Sequence, residues 1–129
     1  MSKGVFNVPV ATNEPVLSYA PGTPERKEVL ATYKKMYETK INVPMYIGSE
    51  KIESNDKQTI TPPHNHQHVL GHFSLGDAEH VNQAIDAALR ARESWANMPW
   101  EHRVSIFLKA ADLLAGPFRA KINAATMLA

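Results

Sequence analysis

Proline is distributed very unevenly along this chain of 129 residues, and that distribution limits which parts can be helical. Seven of the nine prolines lie at or before Pro63, and only Pro99 and Pro117 follow. Proline lacks a backbone N–H donor and clashes with the preceding helical turn, so it breaks helix interiors and central strands. The first half is therefore predicted to be rich in extended segments and turns, and the second half to be helical.

The beginning of the chain is predicted to be an extended arm. Pro9, Pro15 and Pro21 interrupt any regular helix or interior strand there. The few apolar residues between them are too few to bury a core. Residues 1–22 are therefore expected to form an amino-terminal arm that lies along another surface.

A first helix is predicted directly after the arm. Thr23 supplies a hydroxyl at the N-cap, and Pro24 suits the first helical position. The helix should end before Pro44. Its apolar stripe follows helical spacing and consists of Val29, Leu30, Tyr33, Met36 and Tyr37.

Short antiparallel strands are expected next. Residues 45–47 and 51–52 flank a Gly-Ser pair that is typical of a tight hairpin. Residues 58–61 predict a further strand whose partner is residues 69–73, with a turn at residues 64–67. Four such strands are marginal without a covering layer.

Three amphipathic helices are predicted in the second half. Asp77 is a suitable N-cap for the first, Pro99 should begin the second, Gly116 should end it and Pro117 should begin the third. Such faces need a sheet or further helices to cover them. The predicted faces are Val81, Ala84, Ile85, Ala88, Leu89 and Trp95; Val104, Phe107, Leu108, Ala111 and Leu114; and Phe118, Ile122 and Ala125.

Charge and hydropathy exclude several classes of partner. The chain has 14 basic and 13 acidic residues, so there is no electrostatic reason to expect nucleic acid or an anionic membrane. No stretch approaches the roughly 20 apolar residues of a membrane span, and the first ten residues do not resemble a secretory signal. A cytoplasmic protein is expected, with the mitochondrial matrix left open because a processed form would show no presequence.

The residue inventory also excludes several kinds of catalysis by this chain. It contains no cysteine, so disulfides, zinc–thiolate sites and thiol nucleophiles are excluded. It has no glycine-rich phosphate loop and no nucleophile elbow. Ser105 lies within a predicted helix, where its hydroxyl should bond to the preceding turn. No catalytic or cofactor-binding residue is therefore assigned.

The sharpest local cluster is a run of histidines. In an extended strand His64, His66 and His68 would share one face and could converge on zinc, copper or nickel. The preceding Pro62 and Pro63 favour a turn instead, which would destroy that alternation. No carboxylate lies nearby in sequence to orient the rings. A solvent-exposed polar turn is the favoured interpretation, and no metal ligand is assigned.

The order of the segments resembles the amino-terminal part of the aldehyde dehydrogenase superfamily. A hairpin at residues 45–50 is followed by a proline-containing turn at residues 61–63, a capped helix from Asp77 and a second helix after Trp95. Four further segments resemble one branch, the 1-pyrroline-5-carboxylate (glutamate γ-semialdehyde) dehydrogenases. These segments are residues 13–17, 21–26, 107–112 and 115–122.

The resemblance implies an α/β parent enzyme with a Rossmann-type cofactor domain. Such enzymes oxidise glutamate γ-semialdehyde to glutamate with NAD in proline breakdown, through a thioester on a cysteine. The family's cysteine, base glutamate, oxyanion asparagine and cofactor loop belong to later sequence, so none is carried over to this chain. Residues 23–129 are then expected to be an incomplete NAD-binding domain of α+β character.

This chain is accordingly expected to be an inactive amino-terminal fragment with a structural role. Its partners would be the remainder of the dehydrogenase chain, further copies in a homo-oligomer and, for the parent, a small aldehyde. The alternative is a stand-alone, non-catalytic interaction or oligomerisation module.

Overall fold

The computed structural model describes residues 9–129, in which four helices and five short strands alternate unevenly. Residues 9–20 contain no regular element, and the part of the predicted arm before residue 9 lies outside the described residues. The predicted α+β arrangement is confirmed. The elements are α1 Pro24–Glu38, β1 Ile41–Val43, β2 Met45–Ile47, β3 Glu50–Ile52, β4 Lys57–Ile60, β5 Gly71–Ser74, α2 Ala78–Asn97, α3 Trp100–Ala115 and α4 Arg119–Leu128.

Three strands form a mixed sheet in the order β1-β5-β4. The predicted antiparallel pair is confirmed, with Lys57 opposite Ser74 and Ile60 opposite Gly71. Strand β1 was not predicted, and it pairs parallel to β5 with Ile41 opposite Gly71. Strand β1 thus completes the sheet by pairing with a segment 30 residues later in the chain, and no local sequence pattern indicates such a pairing.

The remaining two strands form the predicted hairpin. Met45 lies opposite Ile52 and Ile47 opposite Glu50, so Gly48 and Ser49 make a two-residue turn. Gly48 has φ +61°, whereas Ser49 has no positive φ. A positive φ at the first central position alone is the pattern of a type II′ turn, which matches the twist of antiparallel strands.

Helix α2 begins at the predicted cap. An Oδ1 atom of Asp77 accepts the backbone N–H of His80 at 3.0 Å and lies 2.6 Å from the His80 Nδ1 atom. The bond from the His80 backbone and, to a smaller degree, the bond from the His80 ring hold the pKa of the Asp77 carboxyl below its usual range. The prediction that Ser105 bonds within its own helix is also confirmed, since its hydroxyl donates to the His102 carbonyl at 2.7 Å.

The small apolar core lies mainly between α1 and α4. Val29 of α1 is buried, as are Ala124 and Leu128 of α4, and Leu70 lies buried just before β5. The predicted apolar face of α4 is not the side that meets α1, since Phe118, Ile122 and Ala125 are all exposed. Alanine at position 124 lets the two helix backbones approach, so a small residue rather than a large one marks this contact.

The junction between α3 and α4 also differs from expectation. Gly116 ends α3 as predicted, but its φ is −107°, outside the left-handed region. A Cβ atom there would lie 2.9 Å from the Asp112 carbonyl oxygen, so close backbone approach explains the glycine. Pro117 does not begin α4, because residues 116–118 form a turn and the helix begins at Arg119.

Candidate functional site

The histidine cluster lies on a turn between β4 and β5. Residues 63–68 contain no strand, so the alternation needed to bring His64, His66 and His68 onto one face does not occur. Among residues 9–129, no three His, Asp or Glu side chains are arranged to hold a metal ion. The alternative of a shared histidine metal site therefore receives no geometric support.

Two of these histidines contact helix α1 instead. The His68 ring stacks on the Tyr37 ring with centroids 3.9 Å apart and planes 4° apart. The Nε2 atom of His68 lies 2.7 Å from the Tyr37 carbonyl oxygen, near the end of α1. Because a carbonyl can only accept, that nitrogen carries the proton and caps the helix end. His64 Nε2 lies 3.1 Å from the Tyr33 hydroxyl, so the turn is docked on α1.

A charged cluster around Glu53 connects the two sheets. Its Oε1 atom lies 3.1 Å from Lys51 Nζ, and its Oε2 atom lies 3.1 Å from Lys57 Nζ. The Asn42 side-chain amide donates to the same Oε2 atom at 2.6 Å. Bonds from Lys57, Lys51 and Asn42, in that order, lower the pKa of the Glu53 carboxyl to about 2. One carboxylate thus joins β1, β3 and β4.

We expect Lys57→Met to raise the Glu53 pKa more than Lys51→Met does, because the hydrogen bond from Lys57 is the largest cause of the lowered pKa. Because the folded pKa is depressed, the cluster stabilises the fold above the ordinary carboxyl pKa and loses that effect as pH falls toward 2. Carbon-detected NMR titration of the carboxyl groups measures both variants. Glu50→Gln on the same strand is the control, and a Glu53 midpoint near 4 in the unaltered chain would contradict the contacts.

Helices α2 and α3 are distinguished by the number of large apolar side chains that they expose. Neither helix contains a buried residue. Val81, Ile85 and Leu89 lie one helical turn apart on α2 and are 58, 51 and 58% exposed. We call this set, together with the exposed large apolar residues of α3, the apolar surface; the α3 members are Trp100, Ile106, Phe107, Leu108 and Leu114.

The opposite side of α2 faces the β2–β3 hairpin. Gln83, Asp86 and Arg90 line a cleft beneath it, and a Cβ atom on Gly48 would lie 3.5 Å from the Ala87 Cβ atom. The hairpin therefore leaves Val81, Ile85 and Leu89 uncovered. At the junction with α3, Trp95 and Phe107 meet edge to face with centroids 6.5 Å apart. Large apolar side chains that lie one turn apart on an exposed helix face, as Val81, Ile85 and Leu89 do, are typical of a site that meets other protein.

Sequence reasoning missed two groups that organise this part of the structure. Glu53 stands between Lys51 and Lys57, and the i,i+4 spacing to Lys57 was an available signal. Tyr19, which contacts residues of both α1 and α4, carried no local signal because its main partner lies 104 residues away. No catalytic constellation was assigned from the sequence.

The class of protein follows from a family comparison. The aldehyde dehydrogenase family matches residues 50–127, which is more than half of the chain. The chain therefore belongs to the aldehyde dehydrogenase family. The resemblance inferred from the segment order is confirmed.

Relatives along nearly the whole chain are more specific. Delta-1-pyrroline-5-carboxylate dehydrogenase of Agaricus bisporus is 44% identical over 124 residues, covering 95% of this chain and 23% of the relative. The mitochondrial human enzyme of that name is 41% identical, covering 90% of this chain and 21% of the relative. This chain thus spans about a quarter of the length of the proteins it matches.

Solved structures agree with these relatives. The NAD-bound delta-pyrroline-5-carboxylate dehydrogenase of Mycobacterium tuberculosis superposes with a TM-score of 0.93 at 38% identity. The match covers 98% of this chain and 24% of that protein. The NAD-bound Thermus enzyme gives 0.81 at 25% identity, over 92% of this chain and 23% of that protein. The fold described above is that of the corresponding part of an aldehyde dehydrogenase.

None of the helices within residues 9–129 combines the length and the apolar run that crossing a bilayer requires.

Proposed function

We propose that this chain forms the amino-terminal part of an NAD-dependent dehydrogenase. Its substrate would be L-glutamate γ-semialdehyde, in equilibrium with 1-pyrroline-5-carboxylate, and its product L-glutamate, a step of proline catabolism. The observation that carries the proposal is similarity over 90% or more of this chain to enzymes named for that substrate. The superposition on an NAD-bound enzyme supports the choice of cofactor.

The described residues do not fit NAD, so the cofactor is assigned to the rest of the polypeptide. Dinucleotide phosphates bind helix amino termini that are free and preceded by a glycine-rich loop. The α2 amino terminus is already capped by the Asp77 carboxylate, which would repel a phosphate. The chain also has no cysteine to form a thioester. We therefore assign both the cofactor loop and the nucleophile to the rest of the polypeptide.

The role proposed for residues 23–129 is to form an outer part of the NAD-binding domain. The rest of the same polypeptide would cover the apolar surface, because Val81, Ile85 and Leu89 are all more than half exposed in this chain. Residues 1–22 would form the arm, and further copies would assemble into a homo-oligomer. The compartment proposed is the cytoplasm, with the mitochondrial matrix as the alternative raised by the mitochondrial human relative; fractionation of cells distinguishes the two.

The decisive test is an NADH assay on the complete polypeptide that carries this sequence. We expect NADH formation with pyrroline-5-carboxylate to exceed that with acetaldehyde by at least about tenfold in kcat/KM, because polar substrate groups are recognised specifically. Residues 1–129 alone should form no NADH, since they contain no thiol. A complete polypeptide without activity on pyrroline-5-carboxylate would refute the substrate, and activity of residues 1–129 alone would refute the structural role.

A further inference from the structure

Residues 15–23, which we call the strap, bind both α1 and α4. The Arg119 guanidinium of α4 donates to the Pro15 carbonyl at 3.0 Å. Tyr19 makes the other two contacts: its carbonyl accepts from the Arg26 guanidinium of α1 at 3.2 Å, and its hydroxyl accepts from the Asn123 amide of α4 at 2.8 Å. A single residue therefore contacts side chains of both helices of the core.

Tyr19 makes these contacts from an unfavourable backbone conformation. Its φ is +51°, and it is the only non-glycine residue with a positive φ among residues 9–129. A bulky residue in the left-handed region is strained and persists only where its surroundings impose that conformation. Here the surroundings are the bonds to Arg26 and Asn123, together with the Thr23 hydroxyl and N–H, which donate to the Ala20 carbonyl at 2.8 and 3.1 Å.

We propose that the strap is a releasable tie between α1 and α4, with Tyr19 as its fastening residue. The strain at Tyr19 opposes its hydrogen bonds, so loss of the Asn123 bond raises the fraction of molecules in which the strap is released while the helices stay folded. The same two helices line an apolar cleft of about 570 Å³, with Met36 on one wall and Ala125 on the other. The strap holds the amino-terminal halves of the same helices, through Arg26 of α1 and through Arg119 and Asn123 of α4.

Thermolysin cleavage at residues 16–17 of the complete polypeptide measures strap release. Cleavage tracks the open population when opening and closing are fast. Each rate is normalised to cleavage of the matching free peptide. We expect Tyr19→Phe and Asn123→Ala each to raise the normalised cleavage rate by about two- to tenfold, as the loss of one hydrogen bond predicts. The double variant should cleave no faster than either single variant, because both remove the same bond.

A glycine and alanine pair at position 19 tests the strain separately. Both substitutions remove the ring, but only glycine adopts the left-handed conformation without penalty. Tyr19→Gly should therefore be cleaved about fivefold more slowly than Tyr19→Ala. Equal cleavage rates, or slower cleavage of Tyr19→Ala, would contradict the proposed backbone strain at Tyr19.

Tyr46→Phe on the exposed face of the hairpin is the matched control and should leave cleavage unchanged. Amide hydrogen exchange of β4 and β5 in Tyr19→Phe provides the second measurement. Unchanged exchange there supports a local release. Exchange that rises in β4 and β5 as much as cleavage rises in the strap would mean global destabilisation and would overturn the proposal, as would additive effects in the double variant.

Discussion

Gly71→Ala is expected to destabilise the complete polypeptide by about 3–5 kcal/mol, among the largest effects of a single methyl group in this chain. Gly71 begins β5 at φ +152°, opposite Ile41 of β1. An added Cβ atom would overlap the Ile41 carbonyl oxygen and lie 2.8 Å from its carbonyl carbon and 2.9 Å from its nitrogen. These are backbone atoms held by strand pairing, so they cannot move aside without separating β1 from β5.

Gly22→Ala is the control that separates crowding from backbone strain. Gly22 has φ +90°, but no atom lies within 4 Å of where its Cβ would stand. Its substitution should cost only about 1 kcal/mol, through conformation alone. The denaturant midpoints of the two variants and of the unaltered complete polypeptide provide the measurement. If Gly71→Ala lost no more stability than Gly22→Ala, the close approach of β1 to β5 would be wrong.

Replacing Val81, Ile85 and Leu89 together by glutamine should reduce the self-association of residues 1–129 alone but should destabilise the complete polypeptide. Residues 1–129 alone should self-associate through the apolar surface, and the triple variant should reduce that association at least about tenfold. In the complete polypeptide the same variant should lower stability by about 1 kcal/mol or more per side chain, because burial of the exposed half of each is lost. Light scattering and denaturant unfolding measure the two effects.

Glu79→Gln combined with Glu93→Gln, elsewhere on α2, is the matched control and should change neither property by much. The stand-alone module that the sequence left open predicts a different result. It would be supported by a defined oligomer and one cooperative unfolding transition for residues 1–129 alone. A compact monomer of residues 1–129 whose stability is unaffected by the triple variant would instead refute an exposed docking surface.

Local signals were sufficient for the elements whose causes are local. The Asp77 cap, the Gly48-Ser49 turn and the periodic apolar residues of α2 each depend on neighbours within a few positions. Strand β1 could not be predicted in that way, because three residues pair with a strand that arrives 30 positions later. The same holds for the side of α4 that is buried, since Ala124 is distinguished only by the nearness of α1.

In the candidate site, too, some features could be predicted from neighbouring residues, whereas others depend on residues far away in the sequence. Absence of cysteine and of a phosphate loop could be established from the residues themselves, and the structural role predicted for this chain rests on those absences. The docking of His64 and His68 on Tyr33 and Tyr37 depends on α1 and a later turn meeting in space. Histidine spacing alone cannot distinguish such stacking from metal binding, and the tyrosine partners lie 31 positions earlier.

The bonds between Tyr19 and Asn123 and between Pro15 and Arg119 each span 104 positions of the chain. Ribosomes add about 5–20 residues each second, so the first segment waits roughly 5–20 seconds for its partners to emerge. During that interval Val29 of α1 lacks Ala124 and Leu128 of α4, the helix with which α1 forms the core. A chaperone that recognises short apolar segments would therefore meet α1 before its own helix partner exists.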